Sequence, residues 1–163
     1  MQFAMAFKII GVLLILFSTT MLPSLFLGLV ANDGSESAFA TGFAATLLAG
    51  ITLWLPSRHM SRDLNIRDGF MVTALFWLVL GVFGAIPLWL APELSLTPAE
   101  AIFESISGLT TTGATVITGL DHLPRSLLLY RQLLQWLGGI GIIVLAVAVL
   151  PMLGIGGMQL YRA

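Results

Sequence analysis

Ser107 to Val116 reads SGLTTTGATV: three threonines run into a glycine, after a short amphipathic segment and before a long apolar one. Consecutive backbone carbonyls, with threonine hydroxyls beside them, are oxygen donors suited to a bare cation. The glycine supplies a backbone angle that other residues avoid. Two readings of the stretch are open from its own residues. One is a re-entrant loop, in which a half-helix descends into a membrane and an extended run of oxygens climbs back out. The other is an ordinary external loop of β-prone threonines. The surrounding elements decide between them.

Only 9% of the 163 residues are charged and 58% are hydrophobic, where a soluble domain carries about 25% charged residues. Such a chain cannot solvate its own surface, which makes it an integral membrane protein surrounded by lipid. The net charge of −1 and the lack of a basic patch give no sign of nucleic-acid binding. With no cysteine there are no disulfides and no thiolate metal sites. No serine, histidine and carboxylate set occurs together, and no metal-ligand spacing is present, so an enzyme is not expected.

Four charge-poor stretches predict spanning helices, each needing about 20 apolar residues. The first, Met5 to Val30, rests on 24 uncharged residues between Lys8 and Asp33, with Pro23 a candidate kink. It is too long for the apolar core of a signal peptide. The second is Ser37 to Ser57, where Gly42, Thr46 and Gly50 place small side chains on one face for close helix packing. The third is Gly69 to Pro92, with Pro87 and Pro92 marking its outer end and Trp77 and Trp89 read as lipid-facing or interfacial. The fourth starts near Pro124 and includes 30 uncharged residues between Arg131 and Arg162. Gly138, Gly139 and Gly141 thin its middle, and Gly154, Gly156 and Gly157 weaken its inner end.

If these spans alternate, Lys8, Arg162 and the three arginines of residues 58–68 fall on one side, with five of the seven basic residues. The positive-inside rule puts that side, and the N-terminus, in the cytoplasm. His59 then reads as a solvated loop residue.

Between the third and fourth spans, Thr97-Pro98-Ala99-Glu100 fits a capping box with proline at the first helical position. The helix it starts reaches only to Leu109, about 18 Å, or half a bilayer. Its apolar face (Ala101, Ile102, Ile106, Leu109) is too greasy for water. A half-helix entering from outside aims its partially negative C-terminus at the membrane centre. Glu104 inside it reads either as electrostatic support behind a pore or as a hydrogen-bonded structural carboxylate. Asp121, His122 and Arg125 read as solvated residues and helix-start chemistry. Arg131 is a functional suspect by its depth, although snorkelling to the outer surface is the simpler account.

FESISGLTTTGATV, RQLLQWLGGIGIIVLAVAVLPMLGIGGMQLYRA and the extra pair of N-terminal spans resemble the Trk-type potassium uptake proteins of the TrkH/KtrB superfamily, over essentially the whole chain. In that family each repeat is span, pore half-helix, filter loop, span, and four repeats surround one potassium pathway. The resemblance implies an all-α membrane protein with four transmembrane helices plus one re-entrant pore half-helix and filter loop. Residues 1–67 would form a two-helix membrane domain with a cytoplasmic loop, and residues 68–163 the first repeat. The family's filter glycine falls on Gly113, and the ion-facing carbonyls fall on Thr110, Thr111, Thr112 and Gly113. Thr111 and Thr112 are the residues expected to touch the metal ion, K+.

The implied function is potassium uptake across the inner membrane, with the loop facing the periplasm. The resemblance also implies a homodimer and a cytoplasmic nucleotide-binding regulatory subunit of TrkA type. One filter loop is present where the family has four, so the chain is expected to be a truncated N-terminal part supplying about a quarter of the coordinating oxygens. The alternative is a non-conducting structural or assembly fragment.

Overall fold

The computed structural model describes residues 3–58 and 66–152, with side chains described for 6–58 and 73–143. His59, the glycines after Pro151 and Arg162 lie outside the described residues. Among the described residues six α-helices follow one another: α1 (Phe3–Ser18), α2 (Leu22–Ala31), α3 (Glu36–Ser57), α4 (Ile66–Leu90), α5 (Pro98–Leu109) and α6 (Arg125–Met152). No strand occurs among the described residues.

Three stretches are long and apolar enough to cross a membrane among the described residues: Ala6–Ala31, Glu36–Ser57 and Thr73–Leu90. The 28 residues of α6 extend about 42 Å, longer than a bilayer's hydrocarbon core. The 12 residues of α5 reach less than half as far, and they start and stop where the sequence predicts.

The first span is a rod of α1 and α2 interrupted by a tighter turn at Thr19–Met21, just before Pro23. The hydroxyls of Ser18, Thr19 and Thr20 each donate 2.7 Å bonds to the carbonyls of Ile15, Leu16 and Phe17. Such back-bonding tightens and bends a helix, and a proline in the next turn cannot restore the missing amide donor. The expected kink is a run of hydroxyls completed by Pro23.

The small face of α3 packs as expected. A Cβ on Gly50 would lie 2.9 Å from the Gly11 carbonyl oxygen, and one on Gly11 would lie 2.7 Å from Trp54 N. Only glycine at both positions lets α1 and α3 approach with backbones in contact. Further along α3, a Cβ on Gly42 would meet the ring of Pro87 at 2.6 Å. Pro87 does not end its helix: α4 continues through it to Leu90, and the buried proline ring fills the space left by Gly42.

The core is one cluster in which Leu14, Phe17 and Met21 of the first span meet Phe39, Leu88, Leu109, Leu127, Tyr130 and Leu134. Tyr130 is fully buried, sets its ring edge-on to Phe39 at 5.3 Å and donates a 2.9 Å hydrogen bond to the Gly84 carbonyl. A buried phenol needs such a partner. Trp77 departs from the lipid-facing expectation: it is partly buried, edge-on to Phe76 and within 3.4 Å of where a Gly141 Cβ would sit. Trp89 is half exposed, as an interfacial residue would be.

Candidate functional site

The half-helix begins with the capping box that its sequence predicts. Thr97 is extended, and its hydroxyl oxygen accepts the Glu100 amide at 3.4 Å. The Glu100 carboxylate accepts the Thr97 amide at 2.8 Å and the Thr97 hydroxyl at 2.7 Å. Those bonds hold the Glu100 acid below its ordinary value.

The buried face of α5 differs from the apolar stripe expected. Ala101 and Leu109 are buried, but so are Glu104, Ser105, Ser107 and Gly108, while Ile106 is 38% exposed. The physical reason is close approach. A Cβ on Gly84 would lie 2.5 Å from Ser105 Oγ, and one on Gly81 would lie 2.5 Å from Ile106 Cγ1. Glycines on α4 bring the two helices together, Gly84 against the small Ser105 and Gly81 against the side of Ile106, and shape outweighs greasiness at this contact.

At its C-terminus α5 closes in a Schellman arrangement. The Thr112 amide donates to the Ser107 carbonyl at 3.0 Å and the Thr111 amide to the Gly108 carbonyl at 2.9 Å. Thr111 occupies the left-handed position with φ of 56°, a place normally held by glycine. A β-branched residue there stores strain of about 1–2 kcal/mol. The threonines therefore stop the helix through this motif, and not simply through their preference for extended backbone. Gly113 follows with φ of 75° and nothing within 4 Å of where a Cβ would point.

These bonds consume the amides and leave the carbonyls. Among the described residues, no hydrogen bond ends on the carbonyl oxygens of Thr110, Thr111, Thr112 or Gly113, and all four residues are exposed. Their hydroxyls behave differently from the carbonyls. Thr110 Oγ1 donates to the Ile106 carbonyl at 2.8 Å and lies 2.8 Å from Thr112 Oγ1.

The limb that leads away from the loop is tied down from behind. Ser107 Oγ donates to the Ala114 carbonyl at 2.6 Å. Glu104 Oε1 accepts Thr115 Oγ1 and the Val116 amide, both at 2.6 Å, and the Ile117 amide at 3.3 Å. Its other oxygen lies 3.0 Å from Arg131 Nη2, an ion pair without the alignment of a hydrogen bond. The Glu104 side chain is fully buried and that of Arg131 is 15% exposed. Arg131 does not snorkel outward; it turns inward because a buried carboxylate is within reach.

A second polar contact was invisible in the sequence. Asp33, in the loop after α2, accepts Ser35 Oγ at 2.6 Å and the Ser126 amide at 3.2 Å, while the hydroxyls of Ser35 and Ser126 meet at 2.6 Å. Asp33 thus supplies the start of α6 with the cap expected of its own flanking residues. Asp121, His122 and Arg125 are exposed. Partial burial pushes the Asp33 carboxyl up, but its bonds to Ser35 and Ser126 together hold it below its ordinary value.

The fold and this geometry define an all-helical membrane protein in which a half-length helix and a carbonyl-presenting loop are held among longer apolar helices. Residues 35–163 match the family TrkH, described as a cation transport protein, and the chain belongs to that family. It is 54% identical, over 99% of its length, to the Trk system potassium uptake protein TrkH of Halomonas elongata. It is 53% identical, over all of its length, to the protein of the same name from Vibrio parahaemolyticus. The crystal structure of the potassium transporter TrkH from Vibrio parahaemolyticus superposes with a TM-score of 0.90 at 52% identity, over 97% of this chain and 34% of that one. The chain spans about a third of the length of these relatives, 34% in each case.

Proposed function

We propose that this chain forms the N-terminal part of a potassium uptake pathway in the inner membrane, with Thr110 to Gly113 as its contribution to ion selection. The observation that carries the reading is the loop itself: its amides are spent on the half-helix, and its four carbonyls have no partner among the described residues. Carbonyls freed in this way can replace part of an ion's hydration shell. The negative end of α5 lies directly behind them and favours a cation. K+ is the transported substrate, and Thr111 and Thr112 are the threonines that touch it through their backbone oxygens.

Residues 1–67 act as a two-helix membrane domain outside the pathway, and residues 68–163 as one span, half-helix, loop, span repeat. The N-terminus is cytoplasmic and the loop faces the periplasm. Membership of the family and the name Trk system, carried by the relatives, support a homodimer and a cytoplasmic nucleotide-binding regulator of TrkA type. One observation favours a second reading for the chain in isolation: residues 110–113 are exposed, and a single loop supplies about a quarter of a filter. By itself the chain is then a non-conducting structural fragment.

The test is a chimera in which this chain replaces the matching third of the Vibrio parahaemolyticus relative, assayed for K+ and Na+ flux in liposomes. Selective K+ flux that weakens on Gly113→Ser is the expected result. At φ of 75° serine is strained although its Cβ meets nothing, so the change acts on loop curvature and not on packing. Unaltered selectivity in Gly113→Ser refutes the assignment of the loop.

A further inference from the structure

Among the described residues, the carbonyls of Thr110 to Gly113 have no hydrogen bonds of their own to fix where they point. Their direction is set by the two ends of the segment. The incoming end is the Schellman closure at Thr111 and Thr112. The outgoing end is Ala114 to Ile117, and four bonds hold it: Ser107 Oγ to the Ala114 carbonyl, and three donors converging on Glu104 Oε1. Glu104 is therefore the acceptor on which the return limb is hung.

That carboxylate is held in turn by α6. Its Oε2 faces Arg131 at 3.0 Å, and no other charged group approaches it among the described residues. A fully buried carboxylate is stable as an acceptor only when a partner offsets its desolvation. The same side of α6 carries Leu134 and Gly138, at steps of three and four residues. Leu134 Cβ lies 3.1 Å from where a Gly108 Cβ would sit, and Gly138 lies under the Leu109 backbone. Arg131, Leu134 and Gly138 form one stripe along α6 against which the hairpin rests.

We infer that Glu104 and Arg131 are a positioning pair for ion selection: through them α6 sets the return limb, and hence the direction of the carbonyls at 110–113. Neither residue touches the ion. The inference rests on the reading of residues 110–113 as the selecting segment, and it adds a device that a purely structural ion pair would not be. A structural pair holds up the fold, and its loss lowers the amount of protein or the maximal rate for all ions alike. A positioning pair changes the ratio between ions, because selection between ions depends on oxygens held to a fraction of an ångström.

The experiment measures K+ and Na+ uptake by the same chimera, normalised to the protein present in the membrane. Arg131→Gln is expected to lower the K+ to Na+ ratio by about tenfold, less than the roughly hundredfold that a full ångström of misplacement costs a catalytic site. Arg131→Lys keeps the charge and is expected to retain most of the ratio. Combining Glu104→Gln with Arg131→Gln removes the unpaired charge while keeping an acceptor, and is expected to recover part of what Arg131→Gln loses. Thr115→Val takes away one donor to Glu104, and with it an acceptor of the Ile117 amide, at an exposed position, and leaves the ion pair intact. It is expected to lower the ratio two- to threefold, and it serves should Arg131→Gln not reach the membrane. Ratios unchanged in these variants, with or without a fall in maximal rate, overturn the inference. If Gly113→Ser alters the ratio while the pair variants do not, the pair alone is refuted. If Gly113→Ser also leaves it unchanged, the loop reading fails and the pair falls with it.

Discussion

Replacing Gly138 by alanine adds one methyl group at the point where α6 crosses the end of the half-helix. The new Cβ would overlap the Leu109 carbonyl oxygen and lie 2.6 Å from the Leu109 carbonyl carbon and 3.0 Å from its Cα. All three are backbone atoms, so no side chain can rotate away. Opening even the 2.6 Å gap to the 3.4 Å at which ordinary contact begins moves the two helices apart by at least 0.8 Å, and clearing the carbonyl oxygen takes more. Overpacking of this kind costs about 1–3 kcal/mol. Leu109 is the residue before Thr110, so the displacement passes straight into the loop. Purified chimera carrying Gly138→Ala is expected to unfold earlier in SDS titration and to lose discrimination between K+ and Na+ in liposome flux. Gly139→Ala is the control, because a Cβ there meets nothing within 4 Å. If Gly138→Ala and Gly139→Ala behave alike in both assays, α6 does not set the depth of the half-helix and the packing argument fails.

Three further outcomes follow from the same geometry. Thr97→Ala removes the hydroxyl cap of α5 and is expected to cost about 1 kcal/mol, visible as faster hydrogen exchange at amides 99–102, above all that of Glu100; unchanged exchange dismisses the cap. Thr111→Gly relieves a left-handed threonine and is expected to stabilise the chimera by about 1 kcal/mol in the same unfolding titration. A loss of stability there would mean that contacts of the threonine side chain outweigh its strain. The Asp33 acid is held below its ordinary value of 3.8, so the stability it contributes is fully present above pH 3.8 and is lost as pH falls through the lower folded value. Comparing wild type with Asp33→Asn between pH 6 and pH 3 should show a difference that shrinks on acidification; a difference independent of pH contradicts the cap that Asp33 gives α6.

The parts legible in the sequence are those whose signals are local. Thr97, Pro98 and Glu100 lie within four residues, and their capping box fixed the start of α5 without reference to any other element. The uncharged runs gave the spans to within a few residues, because crossing lipid constrains composition directly. The loop was legible as a place but not as a mechanism. Which threonine turns left-handed depends on hydrogen bonds back to Ser107 and Gly108, and three identical residues give no cue to it. Long-range partners were not legible at all. Arg131 meets Glu104 across two elements, and Asp33 caps a helix that begins 92 residues further along the chain. Depth makes Arg131 a suspect, but nothing near either residue in sequence names its partner. The buried face of α5 differs from the apolar stripe for a related reason: apolar periodicity marks what lipid tolerates, whereas the close approach of α4 at Gly84 admits only a residue as small as Ser105.

In the proposed pathway the backbone oxygens of residues 110–113 face the transported ion. Anomalous diffraction from crystals of the chimera grown in rubidium tests it most directly, since rubidium substitutes for potassium and can be located by its scattering. A peak in contact with the carbonyl oxygens of Thr110 to Gly113 is the expected result. A rubidium ion bound along the pathway but out of reach of those oxygens, or a loop whose carbonyls point into the surrounding protein, would contradict it.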